Sequence, residues 1–505
     1  MKRLSFLVII CAVSVPAMAV DWNIRPRVFA AETYTDNLRL SENDEDGEFV
    51  TEITPGIEIN GETQRFRLDA DVAFQSLFYV DESDENTTNV FGHVNLNSEL
   101  VRDWLFVDAG VSSTQVNATV EGPRSRDNLN PSGNRADVVS YSLSPYLRHS
   151  FQNYVTLYSR LSAQKVDYGD EGINNVSDAE LYSGLVSLNS GAYFNRTRWG
   201  LNYYKSRDDV REIEEGTRKR ESLNGFLDRV INRRVTFLVR AGATENEVSG
   251  IEEGTDGRYW SAGFRWTPSP IFYAEALSGK NDKQAAIHYE PSDRISVDIG
   301  WQDREVGVVL GNSWHAEIVR DLGKSRLYFR YSDEVTNSQR LSTSTLSPEE
   351  YLSPSLIALL PPSLIDLLFD DLDVFTLVNQ EFRRKRAESG YEYETSRYKW
   401  DVRIFAEDRE SFTTTLDADR AYGLDFTHVY RFLDENRLTT GFYWDRIKDQ
   451  LTEREADYYN LYAGYTFVLD RDTEVTTGLR INNRDGDLGR EYNENRVFIS
   501  FLKYF

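Results

Sequence analysis

Arg383, Arg384, Lys385 and Arg386 form the densest run of positive charge in a chain whose formal net charge is −25. If the run is a strand, its side chains alternate between two faces, so Arg384 and Arg386 share one of them. Arg397 and Arg403 follow in what reads as the next strand. Neighbouring guanidiniums on a face turned to a lumen would make a local anion site, and arginine suits bidentate contact with carboxylate or phosphate. The alternative, and the favoured one, is that these arginines pair with acids such as Asp401 and Glu407, because charges drawn away from bulk water are normally paired. Other residues that could do chemistry are sparse. The five histidines, His93, His149, His288, His315 and His428, show no metal-ligand spacing. No nucleophile elbow, Walker loop or zincin motif occurs. The stretch Glu42-x-Asp44-x-Asp46-Gly47 opens like a calcium loop, but Ile53 stands where a bidentate glutamate is required. The sequence therefore predicts no enzyme, no cofactor and no metal site.

The elements around these residues read as an exported β-protein. Met1-Lys2-Arg3 is a short basic region, Leu4 to Val15 an apolar one, and Ala17-Met18-Ala19 a small-x-small cleavage site, which predicts a signal peptide over 1–19. Its removal takes Lys2 and Arg3 and no acid, so the charge moves from −25 to −27. Cys11 lies inside the apolar region and does not fit a lipoprotein cleavage site, and the mature chain has no cysteine, which excludes disulfides and thiol chemistry. The acid excess argues against a nucleic-acid partner. No other run of eighteen apolar residues exists, so no transmembrane helix is expected. Low mean hydropathy is compatible with a membrane barrel, where only alternate residues face lipid. The 29 tyrosines and 9 tryptophans would suit interfacial girdles or a sugar-binding lumen.

Residues 20–505 read as one domain of alternating strands, with no linker that would divide it and no separate plug domain. In 66–80, Leu68, Ala70, Val72, Phe74, Phe78 and Val80 oppose Asp69, Asp71, Gln75 and Tyr79; in 399–407, Trp400, Val402, Ile404 and Ala406 oppose Lys399, Asp401, Arg403 and Glu407. Tight turns are predicted near 60–64, 102–103, 152–153, 195–196, 232–233, 268–270, 292–293, 322–324, 433–436 and 469–472, and longer acidic loops over 41–48, 81–87, 117–136, 167–177, 207–219, 245–257 and 483–491. Short turns at one end, long loops at the other and charges in mid-strand predict an all-β, transmembrane, antiparallel up-and-down β-barrel of about 24 strands, within 22–26. One insertion breaks the pattern. Residues 341–375 carry Pro348, Pro354, Pro361 and Pro362 and an apolar set, Leu359, Leu360, Leu364, Leu367, Leu368 and Phe369, expected to fold into the lumen or cap it as a lid, with a loop on the outer rim as the alternative.

The last strand carries Val497, Ile499, Phe501 and Phe505 on one side and Arg496, Ser500 and Tyr504 on the other. It resembles the closing strand of bacterial outer-membrane barrels, the segment that the barrel-assembly machinery reads, with Lys503 as a departure. The block Asp21-Trp22-x-Ile24-x-Pro26-x-Val28 followed by Glu32-Thr33-Tyr34-Thr35-Asp36-Asn37-Leu38, together with Ile53-Thr54-Pro55-Gly56-Ile57, resembles the PEP-CTERM system-associated outer-membrane β-barrel proteins. What the resemblance implies is an outer-membrane location in a Gram-negative bacterium, linked to export or assembly of an extracellular polysaccharide. It supplies no catalytic or ligand motif. The expected partners are outer-membrane lipid and lipopolysaccharide, the assembly machinery and the polysaccharide. A general diffusion porin and a structural or adhesive envelope barrel stand as the alternatives.

Overall fold

The computed structural model describes residues 20–505 except 44, 170–176, 212–216, 248–255, 308, 337, 339–380, 412–418, 434 and 451. The signal segment 1–19, and the insertion 341–375 with Leu359, Leu360, Leu364, Leu367, Leu368 and Phe369, lie outside the described residues. Twenty-four strands follow in order: β1 (Asp21–Thr35), β2 (Glu48–Thr63), β3 (Phe66–Tyr79), β4 (Thr87–Val101), β5 (Leu105–Asn117), β6 (Arg135–Phe151), β7 (Val155–Tyr168) and β8 (Ala179–Ser190). Next come β9 (Thr197–Val210), β10 (Thr217–Asn232), β11 (Val235–Glu247), β12 (Gly257–Ser269), β13 (Phe272–Lys280), β14 (Asp282–Ser292), β15 (Ile295–Arg304) and β16 (Gly311–Asp321). The last are β17 (Ser325–Thr336), β18 (Phe382–Glu394), β19 (Tyr398–Ser411), β20 (Asp419–Arg431), β21 (Arg437–Asp449), β22 (Glu455–Asp470), β23 (Thr473–Gly486) and β24 (Tyr492–Tyr504).

Each strand pairs antiparallel with its neighbours in sequence, and β24 returns to β1 in a register running from Arg27 opposite Tyr504 to Thr35 opposite Arg496. The sheet is thus closed, with no free edge. The strand count and the up-and-down order predicted from alternation are those observed. Connections from even to odd strands are short, such as 64–65, 102–104, 233–234 and 471–472. Those from odd to even strands gather at the other end and are longer, as at 36–47, 118–134 and 305–310. One exception was not foreseen. β13 and β14 are joined by Asn281 alone, with a left-handed φ of 60°, a conformation that asparagine tolerates better than most residues.

Period-two alternation gives the wall two different solvents. Trp260, Phe264 and Trp266 on β12 point outward and are about half exposed, as are Val497, Ile499 and Phe501 on β24. Between them, Glu494, Arg496 and Ser500 turn inward and are buried. An apolar outer face over a charged inner one is the reverse of a soluble protein and fits a wall between lipid and a wet lumen.

The inner face holds large rings by thinning the opposing strand. Phe226 on β10 stands opposite Gly200 on β9, and Tyr259 on β12 stands opposite Gly242 on β11. A Cβ added to Gly242 would sit 2.7 Å from the Tyr259 ring, and one added to Gly200 would run into the Phe226 ring. Each ring therefore lies over backbone on the inner wall, and Tyr259 is buried there beneath Arg304. Tyr328 opposite Gly390 and Phe405 opposite Gly423 repeat the arrangement.

Candidate functional site in the lumen

The connection 118–134 is not the outside loop that its acidic and polar composition suggested. It turns into the barrel and is fixed to the inner faces of strands on both sides of the β1–β24 seam. Arg124 makes a two-pronged contact with Asp445 of β21, at 3.1 Å for each nitrogen, and its side chain is almost fully buried. Arg126 lies 4.1 Å over the Tyr443 ring and 3.6 Å from Asp425. Asp127 accepts from Arg496 at 2.6 and 2.7 Å and pairs with Arg480. Asn130 donates to Glu494 at 2.8 Å and to the Leu38 carbonyl at 2.9 Å, while the Tyr79 hydroxyl donates to the Leu129 carbonyl at 2.8 Å.

Apolar contacts complete the attachment. Val120 packs with Phe405, Ala421, Ile447, Ala456 and Leu488, and Leu129 packs against Leu38, Val50, Leu77 and Tyr79. The segment so covers the inner wall from β19 round through β24 to β3 and narrows the lumen on that side. Burial alone would push the Asp127 carboxyl up, but the guanidiniums of Arg496 and Arg480 outweigh it and hold it well below the usual carboxylate range.

The predicted basic residues separate into two places. Arg384 and Arg386 share an inward face, and both donate to Glu407, at 2.8 and 2.9 Å; Arg409 donates to the other oxygen of the same carboxylate at 2.9 Å. Arg403, also inward, stands 3.5 Å from Asp425, the acid that Arg126 also approaches. Arg397 does not join them. It sits exposed in the 395–397 turn between β18 and β19, because the hairpin closes there, at the opposite strand end from Arg384. In the closing strand, Val497, Ile499, Phe501 and the exposed Phe505 are all on the outer side, and Lys503 donates to Thr473 at 2.7 Å.

Two further groupings depend on register and escaped sequence reasoning. Asp298 on β15 receives His288 from β14 at 3.1 Å and His315 from β16 at 3.3 Å, joining two of the five scattered histidines. Around the wall, arginines stack on inward rings: Arg160 on Tyr146 at 5.4 Å, Arg265 on Tyr273 at 4.7 Å, Arg304 on Tyr259 at 4.0 Å and Arg386 on Phe405 at 4.8 Å. The arginine tips are held by acids, as in Arg160 with Asp108 at 2.8 Å and Arg265 with Glu275 at 2.7 Å.

Closed strand order, apolar exterior and charged, aromatic interior together define a membrane β-barrel with a polar lumen. No protein-family model matches the chain, and no curated protein matches it. Among solved structures it is similar to the siderophore receptor PirA from Pseudomonas aeruginosa, with a TM-score of 0.42 and 10% identity over 96% of this chain and 80% of that one. It is similar also to the FrpB iron transporter from Neisseria meningitidis, with 0.45 and 10% over 96% and 83%. For the outer membrane protein opdK from Pseudomonas aeruginosa the values are 0.35 and 7% over 96% and 99%.

Proposed function

We propose that the chain is a non-enzymatic outer-membrane barrel that conducts an extracellular polysaccharide, in the exosortase and exopolysaccharide setting implied by the resemblance at 21–38 and 53–57. The observation that carries this reading is the inner wall, where rings such as the partly exposed Phe226 stand beside paired arginines and amides. A ring face takes the apolar face of a sugar, and amides and guanidiniums exchange hydrogen bonds with hydroxyls. Each contact is weak and repeated, so a chain of sugars can slide from one to the next without a deep trap. The segment 118–134 sets the width of the path, and the outward apolar band seats the barrel in lipid.

Deleting the gene tests the reading. Polymer should collect in the periplasm and return to the medium on complementation, whereas normal secretion by the deletant would overturn it. The second reading, a general diffusion porin, draws on the balanced acids and arginines around 118–134. It predicts that small neutral and charged solutes pass at similar rates and that secretion is unaffected by deletion.

A further inference from the structure

We propose that the inner wall between β8 and β15 carries a binding niche for carboxylated sugar residues, an assignment that rests on the polysaccharide reading above and gives it a substrate class. The niche has a volume of 560 Å³, within the ~300–1,000 Å³ typical of small-ligand sites. Its axis follows a single row of strand register. Arg198, Asp228, Leu238, Gly263, Leu277 and Gln284 stand opposite one another from β9 to β14. Of this row Arg198, Asp228 and Gln284 line the niche, while Leu238 and Leu277 in its middle are buried.

The charge of the niche runs against that of the chain. Arg198, Arg240, Arg265 and Arg304 line it. The acids that hold them are three: Asp228, which accepts from Arg240 at 2.6 Å and from Arg198 at 3.4 Å, Glu275 with Arg265, and Asp282 with Arg304 at 3.0 Å. Four cations against three anions leave one positive charge over, in a chain whose total is −25. Asp282 is turned away from any ligand by donors from Ser261, Gln284 and Gln302 at 2.6 to 2.8 Å. The Arg198 side chain, 60% exposed, is the most open of the four. Guanidiniums present a planar fork that matches a carboxylate.

The other lining groups suit the rest of a sugar. Phe226, partly exposed over Gly200, offers apolar area to a sugar, whereas Tyr259 is buried between Gly242 and the Arg304 guanidinium at 4.0 Å and so holds that arginine in place. Asn202, Asn224 and Gln284 bring amides that both donate and accept, as hydroxyl groups require. A bare anion would use the arginines and leave Phe226 and the amides idle; a neutral sugar would use Phe226 and the amides and leave the surplus charge idle. A uronic-acid residue uses all three.

Calorimetric titration of the folded, detergent-solubilised chain with trigalacturonate, maltotriose and inorganic phosphate tests the assignment. Trigalacturonate should bind at least tenfold more tightly than maltotriose and than phosphate. Arg198→Gln, at the open rim, should weaken trigalacturonate about threefold, and Arg240→Gln with Arg304→Gln more than tenfold, with maltotriose unchanged. If the double variant fails to fold, the rim variant alone decides. Equal binding of maltotriose would overturn the acidic specificity, phosphate binding as tight as trigalacturonate would reduce the niche to a simple anion site, and no binding of any probe would overturn it. None of these results moves the periplasmic polymer assay, so a failed niche and a failed conduit remain distinguishable.

Discussion

Release of 118–134 from the inner wall should require breaking two ion clusters, and the structure gives the size of each. Asp127→Asn removes the negative charge facing Arg496 and Arg480, but Arg496 keeps Glu494 at 2.7 Å and Arg480 keeps its stack on Tyr462. With a quarter of the Asp127 side chain exposed, the cost is about 2 kcal/mol, in the range of a charged hydrogen bond. Asp445→Asn strips the two-pronged partner from Arg124, whose side chain is 6% exposed, and loss of one member of a buried pair costs ~3 kcal/mol or more. Both losses act on one short segment, so the sum of about 5 kcal/mol raises the released population some 10³-fold or more, at 1.4 kcal/mol per factor of ten. Limited trypsin digestion of the folded protein reads that population, because cleavage after Arg124 or Arg126 needs the segment free and tracks the open fraction when reclosing is fast. The double variant should be cut there about 10³-fold faster than the parent, and Asp127→Asn alone ~30-fold faster. Parent protein cut at Arg124 as fast as the double variant would refute the packing described, because the segment would already be free.

Three further outcomes are expected. Phe264→Arg, on the outer face, should destabilise the barrel in vesicles by about 2–4 kcal/mol if the position lies near mid-bilayer, whereas His315→Arg, facing the lumen, should change urea unfolding by less than ~1 kcal/mol. Gly242→Val should displace the Tyr259 ring and cost ~1–3 kcal/mol by overpacking, seen as a lower unfolding midpoint with the β-sheet signal retained. Acidification should leave the Asp127 clamp in place. A carboxyl held below its unfolded value of ~3.9 contributes stability that is present above that value and is lost only as pH falls through the lower folded one, so amide exchange in 118–134 should be unchanged between pH 7 and 5.

Barrel architecture was legible because it follows from local chemistry. Alternation in β3, β19 and β24 named the outward residues correctly, and the short turns fell where Asp, Asn, Gly and Pro interrupt it. The strand count followed from those turns. The destination of 118–134 was not legible, because its partners Asp445 and Arg496 lie 321 and 369 residues away and only closure of the sheet brings them near. A hint was present: Arg124, Arg126 and Asp127 beside Val120 and Leu129 make an unusually sticky loop. Arg397 was misjudged for the opposite reason. It is close in sequence to Arg403, but it sits in the hairpin turn itself, whereas Arg403 lies within β19. The opposed pairs of ring and glycine, and the His288–Asp298–His315 grouping, depend on cross-strand register, which a single sequence leaves open.

The central claim is that the lumen is the path and that 118–134 sets its width. Single-channel conductance in planar bilayers, for the parent protein and for a variant with 119–133 replaced by a short Gly-Ser link, tests it most directly. Conductance should rise severalfold in the variant, with the barrel still folded. An unchanged conductance in a folded variant would contradict it.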